Sequence, residues 1–187
     1  MIAEHDDFPR FCFGAGVFSG AYSPLDRVDA NAVIEAALER GKCQPYEVMG
    51  RRAATATATT KLTVRLGVRL FDTAPYYGNS EAILGAALQR VADRFPRDQY
   101  FISTKIGRYG PRRADFDYSA SRVRQSVHES CRRLGVNKLD MVFCHDVEFV
   151  AETQVLDEAL PVLFELKVVY RTRHILRLAT LLTTFFP

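Results

Sequence analysis

Short apolar runs alternate with amphipathic stretches along most of this chain. A strand at about Arg10 to Phe13 runs into the glycine-rich "GAGVFSG". "VDANAVIEAALERG" then has helical periodicity, with Asp29 at the N-cap, Val33, Ile34, Ala37 and Leu38 on one face, and Gly41 as the stop. "GVRLFDTA" reads as a buried strand ending at Asp72. "NSEAILGAALQRV" reads as a helix capped by Asn79 or Ser80, with Ile83, Leu84, Ala87, Leu88 and Val91 turned inward. "QYFISTKIG" is the next strand, and "SASRVRQSVHESCRRLG" a helix with Val123, Val127, Cys131 and Leu134 at helical spacing. "LDMVFCHD" is a further apolar strand, followed by the helix "TQVLDEALPVLFELK" with a kink at Pro161.

The order β-α-β-α-β-α-β-α calls for a parallel sheet covered by helices, as an open doubly wound sheet or a (β/α)8 barrel. "GAGVFSG" has the wrong spacing for the dinucleotide-binding fingerprint, which weighs against a Rossmann sheet. Two segments break the rhythm. Residues Lys42 to Leu66 stand where a helix-to-strand connection of about 2–6 residues is expected. Residues Val168 to Pro187 show neither strand alternation nor a capped helix.

Composition narrows the class. The 187 residues are 48% hydrophobic and 25% charged, a globular balance, and the net charge of +3 is scattered. "GRRAA", "GPRRAD" and "SCRRLG" read as solvated faces, so no nucleic-acid partner is expected. Cys12, Cys43, Cys131 and Cys144 lack metal-ligand spacing and read as buried free thiols in a reducing compartment, with no metal. "MIAEHDDFPRF" lacks a signal-peptide layout, and "LATLLTTFFP" is shorter than the ~20 residues of a membrane span, so a cytoplasmic protein without membrane partners is expected.

The chemistry gathers at strand ends, where barrels of this class carry their sites. Three consecutive predicted strands finish in Asp72, Lys105 and His145, and Tyr77 follows on the loop after the first. Singly, each has a plain reading: a turn cap, a solvated lysine, a loop histidine, a packing tyrosine. Together they suit proton transfer coupled to hydride transfer at a carbonyl. A phenol, with its ordinary pKa of about 10, is a poor acid or base at neutral pH. A neighbouring ammonium favours the phenolate and makes proton exchange usable. Lys105 supplies that charge in this reading, Asp72 aims it, and His145 orients the substrate oxygen.

The segments "FDTAPYYGNSEAILGAAL", "FISTKIG" and "LDMVFCHD" resemble the signature segments of the aldo-keto reductases. "FSGAYSP", "STKIGRYG", "FDYSASRVRQSVHESCRRL" and "HDVEFV" are similar to the branch of D-arabinose and L-galactose dehydrogenases. The likeness covers roughly Phe11 to Gly41 and Gly67 to Lys167. It implies a (β/α)8 barrel using NADP or NAD without a Rossmann fold, and a sugar or carbonyl substrate. The implied catalytic tetrad is Asp72, Tyr77, Lys105 and His145. Gly16, Val17 and Phe18 match the first βα-loop, implied with Asp72 to line the cofactor.

The resemblance sets an expectation about extent. The chain is expected to be a single partial domain over residues 1–187, an α/β protein holding the N-terminal half of a TIM barrel in about four β-α units. Residues 42–66 are expected to be a non-family insert and 168–187 a non-family tail. Intron read-through is the expected origin of both, against a genuine surface insertion and a divergent tail. A dominant transcript retaining the bases between Gly41 and Gly67 would exclude it. The family segments that hold the nicotinamide amide and the cofactor phosphate are not found. That leaves two functional expectations: an NAD(P)-dependent aldose 1-dehydrogenase, or an inactive fragment or non-enzymatic interaction module of the same fold.

Overall fold

The computed structural model describes residues 9, 11–20, 29–40 and 68–170, with backbone alone for 40 and 167–170. The elements follow in the order β1 (Cys12–Gly14), α1 (Ala30–Arg40), β2 (Leu70–Asp72), α2 (Ser80–Arg90), β3 (Phe101–Ile106), α3 (Ala120–Leu134), β4 (Met141–Cys144) and α4 (Leu160–Tyr170). The strands lie side by side in sequence order and all run parallel. Such an arrangement requires crossover connections, and α1 packs on α2, α2 on α3 and α3 on α4. The result is part of an α/β barrel, as the alternating pattern predicts. The segment 42–66 lies outside the described residues. Of the tail, residues 168–170 continue α4 and the rest lies outside them.

Local chemistry explains the elements. Asp29 caps α1, its side chain accepting from Ala32 N at 3.1 Å. Ser119 caps α3 through Arg122 N, and Gly135 closes that helix in the left-handed conformation at φ 67°. Ile34, Leu84, Ile102, Leu134 and Leu163 are buried between the helices and the sheet, each contributing about 2 kcal/mol of hydrophobic stabilisation. Gly85 permits close approach of α2 to α3, because a Cβ there would stand 2.6 Å from the Leu134 carbonyl oxygen.

The structure refines five local expectations. Val33, placed on the inner face of α1, is exposed, while Ile34 and Leu38 are buried. Asn79 takes the cap position of α2 without a side-chain bond, and Ser80 uses its hydroxyl across the fold. Ahead of Pro161, a π-helical segment, Gln154–Ala159, runs directly into α4. Proline has no N–H to donate and clashes with the preceding turn, and a wider turn ahead of it relieves both. Cys12 is exposed where a buried thiol is expected, because β1 turns it away from the helix layer; Cys131 is buried. Arg133 of "SCRRLG" is only partly solvated, since it bonds the buried Glu81 at 2.7 Å.

Glu81 is the fold's least expected residue. Its side chain is only 1% exposed, held by Thr104 Oγ1 at 2.6 Å and by the Arg133 guanidinium. A buried carboxylate is tolerable only when paired and hydrogen-bonded in this way. It ties α2, β3 and α3 together behind the strand that carries Lys105.

Candidate active site

The strand registers put the ionisable residues on one face. Gly14 pairs with Asp72, Asp72 with Ser103, and Lys105 with Phe143. Partners in parallel strands point the same way, and side chains alternate along each strand. Asp72, Ser103 and Lys105 therefore share the side opposite the helix layer. His145, two residues past Phe143, follows the same parity, and its N–H donates to the Ile106 carbonyl at 2.9 Å.

The geometry joins the four residues that sequence reasoning singled out. The Lys105 ammonium donates to Asp72 Oδ2, and to the Thr73 carbonyl at 3.0 Å. Ser103 Oγ donates to the other Asp72 oxygen at 2.8 Å. Lys105 Nζ stands 4.9 Å from the centre of the Tyr77 ring. The Tyr77 and His145 rings meet edge to face with centroids 5.6 Å apart. Tyr77 rides on a tight turn after β2. Its N–H donates to the Ala74 carbonyl at 3.0 Å, and its own carbonyl accepts from Ser80 N at 3.1 Å.

That turn is anchored by a hydroxyl relay. Ser80 Oγ donates to the Ala15 carbonyl at 2.7 Å, which leaves Thr73 Oγ1 to donate to Ser80 at 2.9 Å. The loop after β1, the end of β2 and the start of α2 are thereby fixed to one another.

The first βα-loop divides. Gly16 lies against Tyr77, with a Cβ there coming 3.7 Å from the phenol ring. Val17 is exposed. Phe18 is wholly buried, its ring 5.8 Å from that of Phe13, so its side chain holds the loop from beneath.

His145 is 8% exposed, and its Nδ1 is buried with no hydrogen-bond partner among the described residues. Burial pushes the imidazole below its ordinary pKa; Asp146 opposes that, and the cations Lys105 and Arg108 reinforce it. Tyr118, buried on the helix side, donates its hydroxyl to the His145 carbonyl. Burial likewise raises the Tyr118 phenol, which keeps it a neutral donor. Cys144 next door is pushed up to about 11 by burial and stays a thiol.

Sequence reasoning passed over Tyr76, Arg108 and Asp146. Arg108 Cζ stacks 3.8 Å from the Tyr76 ring centre and its Nη1 donates to Asp146. Tyr76 also meets His145 edge to face, at 5.9 Å. The available signals were the first tyrosine of "PYYG", the arginine of "KIGR" and the acid of "CHD".

Chemically, the cluster sets a phenol beside an ammonium and an imidazole at the finishing ends of three parallel strands. A nicotinamide fits that donor set at its reacting end. The Tyr77 phenol, the Lys105 ammonium and the His145 imidazole converge there, and Gly16 adds no side chain against the phenol ring.

The chain is 43% identical over 122 residues to the L-galactose dehydrogenase of Arabidopsis thaliana, covering 64% of this chain and 37% of that protein. It is 52% identical over 101 residues to the D-arabinose 1-dehydrogenase of Saccharomyces cerevisiae, covering 54% of this chain and 29% of that one. It thus spans about a third of the length of these curated relatives. Among solved structures, one described as an aldo-keto reductase of Pseudomonas aeruginosa superposes with a TM-score of 0.55 at 26% identity, over 85% of this chain and 49% of that one. The glycerol dehydrogenase of Gluconobacter oxydans shares the fold, with a TM-score of 0.58 at 23% identity, over 88% of this chain and 42% of that one. The model of the Aldo/keto reductase family matches residues 50–175, a span holding Asp72, Tyr77, Lys105 and His145, and the chain belongs to that family.

Proposed function

We propose that this chain carries the proton-transfer wall of an NAD(P)-dependent aldose 1-dehydrogenase. The observation that carries the reading is the convergence of Tyr77, Lys105, Asp72 and His145 on one face of the strand ends. Gly16, Val17 and Asp72 would line the cofactor, and a nicotinamide bound beside them would supply the hydride exchange with the sugar or carbonyl.

Tyr77 is the acid/base. In the oxidative direction its phenolate oxygen takes the proton of the anomeric hydroxyl as C1 gives up hydride, and the sugar leaves as a lactone. The Lys105 ammonium stabilises negative charge on the phenolate. Asp72 and the Thr73 carbonyl fix the ammonium, and Ser103 fixes Asp72. His145 hydrogen-bonds the reacting oxygen and sets its approach to Tyr77. The names of the two sugar-dehydrogenase relatives support an aldose such as D-arabinose or L-galactose as substrate.

The test is reduction of NADP or NAD by purified protein with each sugar, followed at the nicotinamide absorbance. Sugar-dependent reduction that disappears in Tyr77→Phe supports the proposal, and turnover retained by that variant would sink it. The alternative reading is an inactive fragment or non-enzymatic interaction module of the same fold. Absence of both NADPH fluorescence quenching and turnover selects that reading.

A further inference from the structure

The His145 imidazole is enclosed by rings and charges from several elements. Tyr76 and Tyr77 meet it edge to face from the loop after β2. The charges of Lys105 on β3, Asp72 on β2 and Arg108 in the loop after β3 act on it. Tyr118 holds its carbonyl. Asp146, the next residue, brings its Oδ2 to 3.7 Å from His145 Nε2.

That same Asp146 oxygen accepts from Arg108 Nη1. Arg108 has little freedom to let go. Its guanidinium is stacked on Tyr76 at 3.8 Å and lies 5.3 Å from the centre of the Phe116 ring. Asp146 sits in the left-handed region at φ 57°, one that aspartate and asparagine adopt more readily than other side chains. The tight turn keeps its carboxylate beside both the guanidinium and the imidazole.

We infer that Arg108 and Asp146 are positioning residues for His145: the guanidinium engages the Asp146 carboxylate and so prevents it from completing an ion pair with the imidazole, leaving the ring neutral and free to meet the substrate oxygen. This rests on the role of His145 proposed above. Burial and the Lys105 ammonium act in the same direction as the guanidinium, and Asp146 and Asp72 act against it. A carboxylate within about 4 Å of an imidazole ordinarily favours the charged ring, and the guanidinium weakens that pull where burial already disfavours the charge.

The test is an NMR titration of the histidine ring protons in the full chain, the His145 signal being the one absent from His145→Gln. Arg108→Met should move the His145 midpoint to higher pH, whereas Arg108→Lys, which keeps the charge, should leave it near wild type. Asp146→Asn, chosen because asparagine accepts the left-handed turn, should lower the midpoint and cancel the rise when combined with Arg108→Met. A midpoint unmoved or lowered in Arg108→Met with a wild-type circular dichroism spectrum overturns the inference. Should Arg108→Met not fold, Asp146→Asn decides alone, and an unmoved or raised midpoint there overturns it. The titration needs neither cofactor nor sugar. Shifts of the expected sign in a protein without turnover support the coupling while the proposed function fails.

Discussion

The Tyr77 and His145 rings stand 84° apart at a centroid separation of 5.6 Å, while the Lys105 ammonium lies over the tyrosine face. The phenol is therefore held by its ring, and its oxygen is left for chemistry. Tyr77→Phe keeps each ring contact and removes the oxygen alone. Thermal stability should stay near wild type, while turnover on an aldose falls by about 10²- to 10⁴-fold. Steady-state kinetics beside a thermal melt check both halves of that statement.

Glu81 offers a contrast, a carboxylate with structural work only. Glu81→Gln keeps an acceptor for Thr104 and removes the charge facing Arg133, which is 31% exposed and can turn partly to water. A loss of about 2 kcal/mol is expected. Glu81→Ala also strands the buried Thr104 hydroxyl and opens a cavity, for about 4 kcal/mol. Urea unfolding measures both, and equal losses would mean that the charge contributes nothing.

Gly107 is constrained twice. Its φ of 98° is unfavourable for any L side chain, and a Cβ would come within 2.1 Å of the Tyr118 ring. Gly107→Ala should cost about 3 kcal/mol, combining backbone strain with overpacking. Tyr118→Phe, which removes only the hydroxyl bonded to the His145 carbonyl, should cost about 1 kcal/mol. The ordering of the two variants by denaturant midpoint is the check.

The depressed His145 implies a pH dependence of stability. The unfolded chain binds a proton at this residue near pH 6.5, whereas the folded imidazole, held down by burial, binds it only at lower pH. Between those values the unfolded state carries more protons, so stability contributed by His145 is full above pH 6.5 and is lost as pH falls through the folded midpoint. His145→Gln should flatten the stability curve over that window. A slope unchanged by the substitution would count against a buried, neutral imidazole.

Sequence reading reached the strand ends because buried parallel strands are continuous apolar runs, and an ionisable residue closing such a run is conspicuous. Asp72, Lys105 and His145 were legible for that reason, and Tyr77 through its fixed offset from Asp72. Glu81 was not. A carboxylate in the first turn of a helix looks the same whether it faces water or Arg133, and only the packing of α3 decides. The Arg108–Asp146 contact was hidden likewise, because it joins two loops whose approach depends on strand order. Pro161 announced a disturbance in its helix, but its form, a π segment upstream, depends on how the surrounding side chains absorb the missing bond.

The shared face of Asp72, Ser103 and Lys105 follows from parity: two steps along β3 separate the residue opposite Asp72 from the one whose ammonium reaches back to it. Parity makes the strand behave like a reading frame. Inserting or deleting one residue between Ser103 and Lys105 would swing the ammonium to the helix side, beside Glu81 and away from Asp72 and Tyr77. Length changes in this strand are therefore tolerable in pairs or not at all.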